Sequence, residues 1–264
     1  MTIPPLETLS LDFIRGAAEI LPISGSGHLA LARMLEGGDA ELVTSGLLDL
    51  GTLVATVYVV RTSAVRAIAE GLRGILRPSL LKETQGGRDA MVILLASIPM
   101  ACLSLLLRGS AEVCATSATF VGTAFLCSAL VVGSSYWAPK GEKDTPSSWG
   151  SLLVGIGQGV AVLPGLSRMA MAISALLWLG IRAERTFVLS LLVSLPAIAC
   201  AASRGAPKAA PLVLGMGVTF VASLAALQLL RGVLLRRAAG IFAVYLVPLG
   251  IATLAWGYAR PLGP

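Results

Sequence analysis

Apolar stretches of about 20 residues recur along this 264-residue chain, each long enough to cross a hydrocarbon core about 30 Å thick. Charged residues make up 13% of the chain and hydrophobic residues 56%, against about a quarter charged in soluble domains. Six transmembrane helices are predicted, at roughly 43–61, 89–108, 117–137, 186–203, 212–230 and 239–258. The fold class is therefore all-α: a polytopic membrane protein forming one integral domain over residues 1–264. No cleavable signal peptide is expected, because the first dozen residues carry Glu7 and Asp12 and no basic n-region.

Two further apolar segments, about 10–34 and 151–181, are interrupted. Pro22, Gly25 and Gly27 break the first, and Pro164 and Gly165 break the second. Broken backbone at membrane depth is tolerated only against protein or a wet cavity. Both segments are thus expected to be re-entrant helical hairpins lining a site. Residues 20–32 (ILPISGSGHLALA) resemble residues 162–174 (VLPGLSRMAMAIS) at an offset of 142. Each broken segment is followed by three spans, and an odd number of spans per repeat inverts the second half. An inverted-topology repeat of about 1–140 and 141–264 follows, with the site where the broken elements meet near the midplane.

Basic residues set the orientation. Arg66, Arg73, Arg77, Lys82 and Arg88 fall in the long loop read at 62–88. Lys140 and Lys143 fall at 138–150, Arg182 and Arg185 before the fourth span, and Arg231, Arg236 and Arg237 before the last. All four regions are cytoplasmic if 151–181 enters and leaves on one side, as the positive-inside rule asks. Both termini and the 203–211 loop then lie outside. The net charge of +6 is accounted for by these loops and needs no nucleic-acid partner; membrane lipids are the expected neighbours. Cys102, Cys114, Cys127 and Cys200 lack metal-ligand spacing and read as small buried hydrophobes. Trp137, Trp149 and Trp256 sit near span ends and read as interfacial belt residues.

The chemistry-bearing residues fall in the two breaks. Residues 19–28 read Glu-Ile-Leu-Pro-Ile-Ser-Gly-Ser-Gly-His, and His28 is the only histidine in the chain. The second break reads Pro164-Gly165-Leu166-Ser167-Arg168. A guanidinium inside an apolar stretch needs an anionic partner, and its fork suits phosphate oxygens. Glycine at a helix start lets backbone N–H groups approach an anion. One break offers a carboxylate (Glu19), hydroxyls (Ser24, Ser26) and an imidazole (His28); the other offers an anion clamp (Gly165, Ser167, Arg168). Together they resemble a phosphoryl-transfer site in which a hydroxyl or water attacks phosphorus. His28 would handle the proton and Arg168 would stabilise the equatorial oxygens.

These motifs resemble those of the undecaprenyl-diphosphate phosphatases, also called bacitracin-resistance proteins, over nearly the whole chain. The family's first motif, Glu followed by Leu/Phe-Pro-Val-Ser-Ser-Thr-Gly-His, is similar to Glu19 through His28. The second, Pro-Gly-hydrophobe-Ser-Arg-Ser-Gly, is similar to Pro164 through Ala170. Asp49-Leu50-Gly51-Thr52 resembles a third segment that usually carries Gln at the first position. Glu19, Ser24, Gly27, His28, Ser167 and Arg168 carry over directly, and Ser26 stands where the family has Thr. The chain departs from the pattern at four places. Arg15 replaces an acidic residue or Gln, Gly25 replaces the serine often assigned as nucleophile, Met169-Ala170 replaces Ser-Gly, and Val188 replaces a glutamate.

The resemblance implies an enzyme of the bacterial cytoplasmic (inner) membrane. It would hydrolyse undecaprenyl, or more generally polyprenyl, diphosphate at the outer face and so recycle the lipid carrier of cell-wall synthesis. Glu19, Ser24, Ser26, His28 and Arg168 are then the catalytic candidates. Gly27, Gly165, Ser167, Arg168 and Asp49 are candidates for holding the substrate. It also implies a divalent cation, Mg²⁺ or Ca²⁺, with Glu19 and Asp49 as the groups to hold it, and leaves room for a homodimer.

Bland readings compete. Glu19 lies one helical turn from Arg15, so the two can simply pair. Ser24 and Ser26 can be helix caps. Arg168 can clamp helix-end carbonyls. With Gly25 in place of serine the nucleophile is Ser26, Ser24 or a water activated by His28; a tight turn between its flanking glycines would bring Ser26 within reach of the imidazole. The rival function is a non-hydrolytic polyprenyl-phosphate transporter or flippase, since an inverted repeat with two broken helices is also a transporter layout.

Overall fold

A computed structural model describes residues 6–35, 46–203 and 211–259. Twelve α-helices account for most of these residues: α1 (Leu6–Ile20), α2 (Gly25–Leu35), α3 (Gly46–Leu76), α4 (Leu80–Glu83), α5 (Gln85–Leu106), α6 (Arg108–Cys114), α7 (Ala118–Ser134), α8 (Ser148–Val160), α9 (Arg168–Trp178), α10 (Ala183–Ala202), α11 (Pro211–Leu235) and α12 (Phe242–Ala259). Short 3₁₀ turns follow α7 and precede α12. Among the described residues the only β pairing is an isolated bridge between Lys143 and Ile181.

Among the described residues six helices are long and apolar enough to cross a membrane: Leu48–Leu76, Gln85–Leu106, Ala118–Trp137, Ala183–Ala202, Val213–Leu235 and Ala239–Ala259. They coincide with the six predicted spans, with one difference. The region read as a long loop at 62–88 is largely helical, because α3 continues to Leu76. No proline interrupts that stretch until Pro78, and a residue before proline is held away from helical geometry. At about 1.5 Å per residue, its 31 residues run to about 46 Å, beyond the hydrocarbon thickness. The predicted 203–211 loop lies largely outside the described residues.

Polarity runs opposite to that of a soluble protein. Ser128, Gln158, Ser167, Ser190, Ser194, Thr219 and Ser223 are buried, while Val54, Leu94, Leu105, Leu130, Val221 and Val244 face outward. In lipid the exterior is apolar, so buried hydroxyls must find partners between helices. Ser223 does so by donating to the Gly16 carbonyl and meeting Thr52 Oγ1, both at 3.0 Å. The same inversion corrects the reading of the cysteines: Cys102, Cys127 and Cys200 are exposed and Cys114 is half-buried. A small apolar side chain has no reason to avoid a lipid-facing position. Trp137 and Trp149 face outward near helix ends, as a belt requires.

Each broken segment is a pair of short helices. At 15, 11, 13 and 11 residues, α1, α2, α8 and α9 reach only about 16–22 Å and fall short of crossing, which is compatible with re-entry. α1 packs on α2 and α8 on α9. α1 also lies against α11 and α8 against α5, while α3 packs on α10 and α7 on α12. At one end of the bundle ionic contacts gather the basic loops. Arg185 pairs with Asp89 and donates to the Asp144 carbonyl, Arg182 pairs with Asp144, and Arg237 donates to the carbonyls of Ala138 and Pro139 at 2.9 Å.

Candidate active site

The two breaks meet. Residues 21–24 and 161–167 leave the helices, and the Ser24 hydroxyl donates to the Leu166 carbonyl at 3.2 Å. Gly27 and Gly165 lie where the strands of backbone cross. An added Cβ on Gly27 would fall 2.6 Å from the Phe125 ring and 2.8 Å from Gly165 Cα. Gly165 adopts φ +94°, a conformation that side chains resist, and its own Cβ would strike Ala124 and the Val121 carbonyl on α7. Ser128, also on α7, ties the second break down: its hydroxyl donates to the Gly165 carbonyl and accepts from the Ser167 N–H, both at 2.9 Å.

Both helices that leave the breaks start on a serine cap. Ser24 Oγ accepts from Gly27 N–H at 3.3 Å, and Ser167 Oγ accepts from Ala170 N–H at 3.2 Å. The capping role expected of Ser24 is therefore met, and Ser167 has the same role. Ser24 holds φ +69°, unusual for a residue with a side chain, and is buried. α2 and α9 thus present their N-termini to one another, with positive dipole ends and first-turn N–H groups outside the intrahelical ladder.

A cleft at this junction is lined by Ala18, Glu19, Ser24, Gly25, Ser26, Leu166, Ser167, Arg168 and Met169. Five of the sequence-derived candidates, Glu19, Ser24, Ser26, Ser167 and Arg168, are in it. Arg168 forms an ion pair with Glu19, with side chains 28% and 19% exposed. Ser26 is exposed where Ser24 is buried, and the two hydroxyls lie 3.5 Å apart. Gly25 sits against Glu19: a Cβ there would lie 3.1 Å from Glu19 Oε2.

Two candidates have other partners. His28 does not meet Ser26. Its Nδ1 lies 2.8 Å from the Ser24 carbonyl and its Nε2 lies 2.7 Å from the Tyr245 hydroxyl. The reason is local: α2 starts at Gly25, so Ser26 and His28 are two apart on a helix and point different ways, whereas Ser24 and His28 are four apart. A carbonyl only accepts, so Nδ1 carries the proton, and in the neutral imidazole Nε2 accepts from the Tyr245 O–H. Tyr245 stacks parallel to the imidazole and Phe125 meets it edge-on. Asp49, the other displaced candidate, is forked by Arg15. Nε and Nη2 reach Oδ1 at 3.1 and 2.9 Å, and Nη2 reaches Oδ2 at 2.9 Å. The simple Arg15–Glu19 pairing across one turn is thus not what forms; each takes a partner from another element. Arg168, Asp49 and Arg15 all lie close enough to Glu19 to act on it electrostatically.

The implied divalent cation does not fit this donor set. Glu19 and Asp49, the two carboxylates expected to hold it, are each bound to a guanidinium, and among the described residues no three His, Cys, Asp or Glu side chains cluster. Tyr245, Ser128 and Phe125 were not singled out from the sequence. Nothing in their local context marks them; an isolated tyrosine near the end of an apolar span reads as an interfacial residue.

A relative named undecaprenyl-diphosphatase in Desulfatibacillum aliphaticivorans is 32% identical over 272 residues, covering 94% of this chain and 97% of its own. One of the same name in Thermotoga maritima is 31% identical over 224 residues, covering 84% and 88%. Another in Korarchaeum cryptofilum is 28% identical over 262 residues, covering 94% and 98%. The model of the family described as bacitracin resistance protein BacA matches residues 8–252, and the chain belongs to that family.

Proposed function

We infer that this protein is a membrane hydrolase that converts undecaprenyl (polyprenyl) diphosphate to the monophosphate and inorganic phosphate. The observation that carries this reading is the junction itself: two opposed helix N-termini, an exposed hydroxyl and an oriented guanidinium around one cleft. Opposed N-termini suit a group with several negative oxygens. Arg168, steadied by Glu19, suits the equatorial oxygens of a transferring phosphoryl group. Family membership and the names of the relatives support the same chemistry.

In this reading Ser26 Oγ is the nucleophile. Its oxygen bonds to the terminal phosphorus as the bond to the bridging oxygen breaks, its hydroxyl proton passes to a phosphate oxygen of the substrate, and the lipid monophosphate leaves. Water then cleaves the phosphoserine and releases phosphate. Ser24, held by three polar contacts, shapes the loop. Gly27, Gly165 and Ser167 set the close approach of the two breaks, and Asp49 acts through Arg15. His28 enters the proton chemistry only by parting from Tyr245, since both of its ring nitrogens are engaged.

We further read the chain as an inverted repeat of about 1–140 and 141–264. The helix partners support it: α3 and α7 each pack on their own counterparts, α10 and α12, and the α1–α11 contact is matched by α8–α5. The gathered basic loops support a cytoplasmic side that includes residues 138–144 and 182–185. The first hairpin then enters from outside, and the cleft opens to the outer face of the bacterial cytoplasmic membrane. A homodimer belongs to the same reading, tested by the mass of the detergent-solubilised protein.

The experiment is phosphate release from a polyprenyl diphosphate by purified protein in detergent, with Arg168→Lys as comparison. Lysine keeps the charge and lacks the fork, so the variant should lose most turnover. Binding of polyprenyl phosphate without hydrolysis by the wild type would replace this reading with transport.

A further inference from the structure

We propose that this site handles its diphosphate without a bound divalent cation, the positive charge being supplied by Arg15 together with Arg168. The inference rests on the hydrolase reading above and concerns how the substrate's charge is balanced. A diphosphate brings several negative oxygens into a site between helices, and some fixed or bound cation must meet them. Mg²⁺ sites of this kind use one or two free carboxylates plus substrate oxygens. Here both candidate carboxylates are already spoken for. Asp49 accepts three N–H contacts from Arg15, and Glu19 is paired with Arg168.

The Arg15 pair is not a loose surface contact. Its side chains are 20% and 14% exposed, so water screens it weakly. It also spans 34 residues of sequence, joining α1 to α3. A metal ion reaching for Asp49 would have to sit beside a guanidinium and be repelled by it. The arginine lies one turn before Glu19 on α1, at the position where the family pattern places an acidic residue or Gln. The substitution therefore removes one acidic group and neutralises a second. Its bonds to Asp49 use Nε and Nη2, which leaves Nη1 to turn toward an anion. Arg15 stands on α1 and Arg168 is held against α1 by Glu19, one turn further on, so both guanidiniums are gathered at the same stretch of that helix.

The test strips the purified protein with EDTA and compares phosphate release in chelator with release in added Mg²⁺ or Ca²⁺. In parallel, Mn²⁺ is titrated into the substrate-free protein and followed by electron paramagnetic resonance. We expect turnover to stay within about twofold in chelator and the Mn²⁺ signal to remain that of the free ion. Arg15→Glu should reverse both, freeing Asp49, binding Mn²⁺ and becoming chelator-sensitive. Wild-type turnover that collapses in EDTA and returns with Mg²⁺ overturns the proposal, as does Mn²⁺ bound by the wild type at micromolar concentration. These wild-type results decide the matter even if Arg15→Glu fails to fold. Absence of phosphate release under every condition defeats the hydrolase reading instead, and the Mn²⁺ spectrum still decides this one.

Discussion

Gly165 and Gly180 make a controlled pair for asking what holds the two breaks together. Both have positive φ, +94° and +78°, so a methyl group on either carries a left-handed penalty of about 1–2 kcal/mol. Their surroundings differ. A Cβ on Gly180 meets nothing within 4 Å, whereas one on Gly165 would lie 2.6 Å from Ala124 Cβ and 2.7 Å from the Val121 carbonyl. A helix carbonyl cannot swing aside as a side-chain tip can. Gly165→Ala therefore adds an overpacking cost of about 1–3 kcal/mol, for a total of about 2–5 kcal/mol against about 1–2 kcal/mol at Gly180. The displacement also reaches function. The Gly165 carbonyl and the Ser167 N–H share the Ser128 hydroxyl, and Arg168 is the next residue. A shift of about 1 Å in a positioned group costs on the order of a hundredfold in rate. Thermal midpoints in detergent, read from the surviving monodisperse peak, and phosphate release should be measured together. Gly180→Ala should keep near-wild-type turnover with a slightly lower midpoint, and Gly165→Ala should fall well below it on both. Equal midpoints and equal turnover in the two variants would refute the steric argument.

Other expectations follow from the same geometry. Ser26→Ala should abolish phosphate release, while Ser24→Ala should weaken it and cost about 1 kcal/mol through the lost α2 cap; substantial activity in both would point to water as the attacking group, and Gly25→Ser could then raise turnover. Because His28 is the only histidine, ¹⁵N-histidine labelling gives one imidazole spectrum. Tyr245→Phe should move the Nε2 resonance and leave the protonated Nδ1 in place, and an unchanged spectrum would remove the Tyr245 bond from the account. For topology, single cysteines at Ser79 and Gly109, in a background lacking Cys102, Cys114, Cys127 and Cys200, should label differently with an impermeant reagent in cells without an outer-membrane barrier. Only the Gly109 site should react; labelling at Ser79 would rule out the orientation proposed here.

The junction residues that the two short motifs carry are readable in the chain. Glu19, Ser24, Ser26, Ser167 and Arg168 reach the same cleft because each lies within a few residues of a Pro/Gly break, and such breaks in apolar sequence have to face protein or water. His28 lies in the first motif, yet its partner is not legible there. A loop curling over residues 24–28 would put the imidazole near Ser26, whereas the helix that begins at Gly25 sends it to Tyr245, 217 residues away. The partner of Arg15 is a related case. Helical spacing allows Glu19 as its neighbour, but only the packing of α3 beside α1 brings in Asp49 with a better fork.

Sequence alone determined the membrane environment, the six spans and the two breaks, because these depend on local apolar runs and on backbone chemistry that any helix in lipid must obey. It could not determine which charges neutralise which, how the imidazole is oriented, or that Ser128 on α7 anchors the second break. Those outcomes depend on residues 34 to 217 positions apart meeting in space, and in a low-dielectric interior the winning partner is the one that geometry brings within hydrogen-bond reach. Tertiary structure decided them, and with them whether the carboxylates of this site are free to hold a metal.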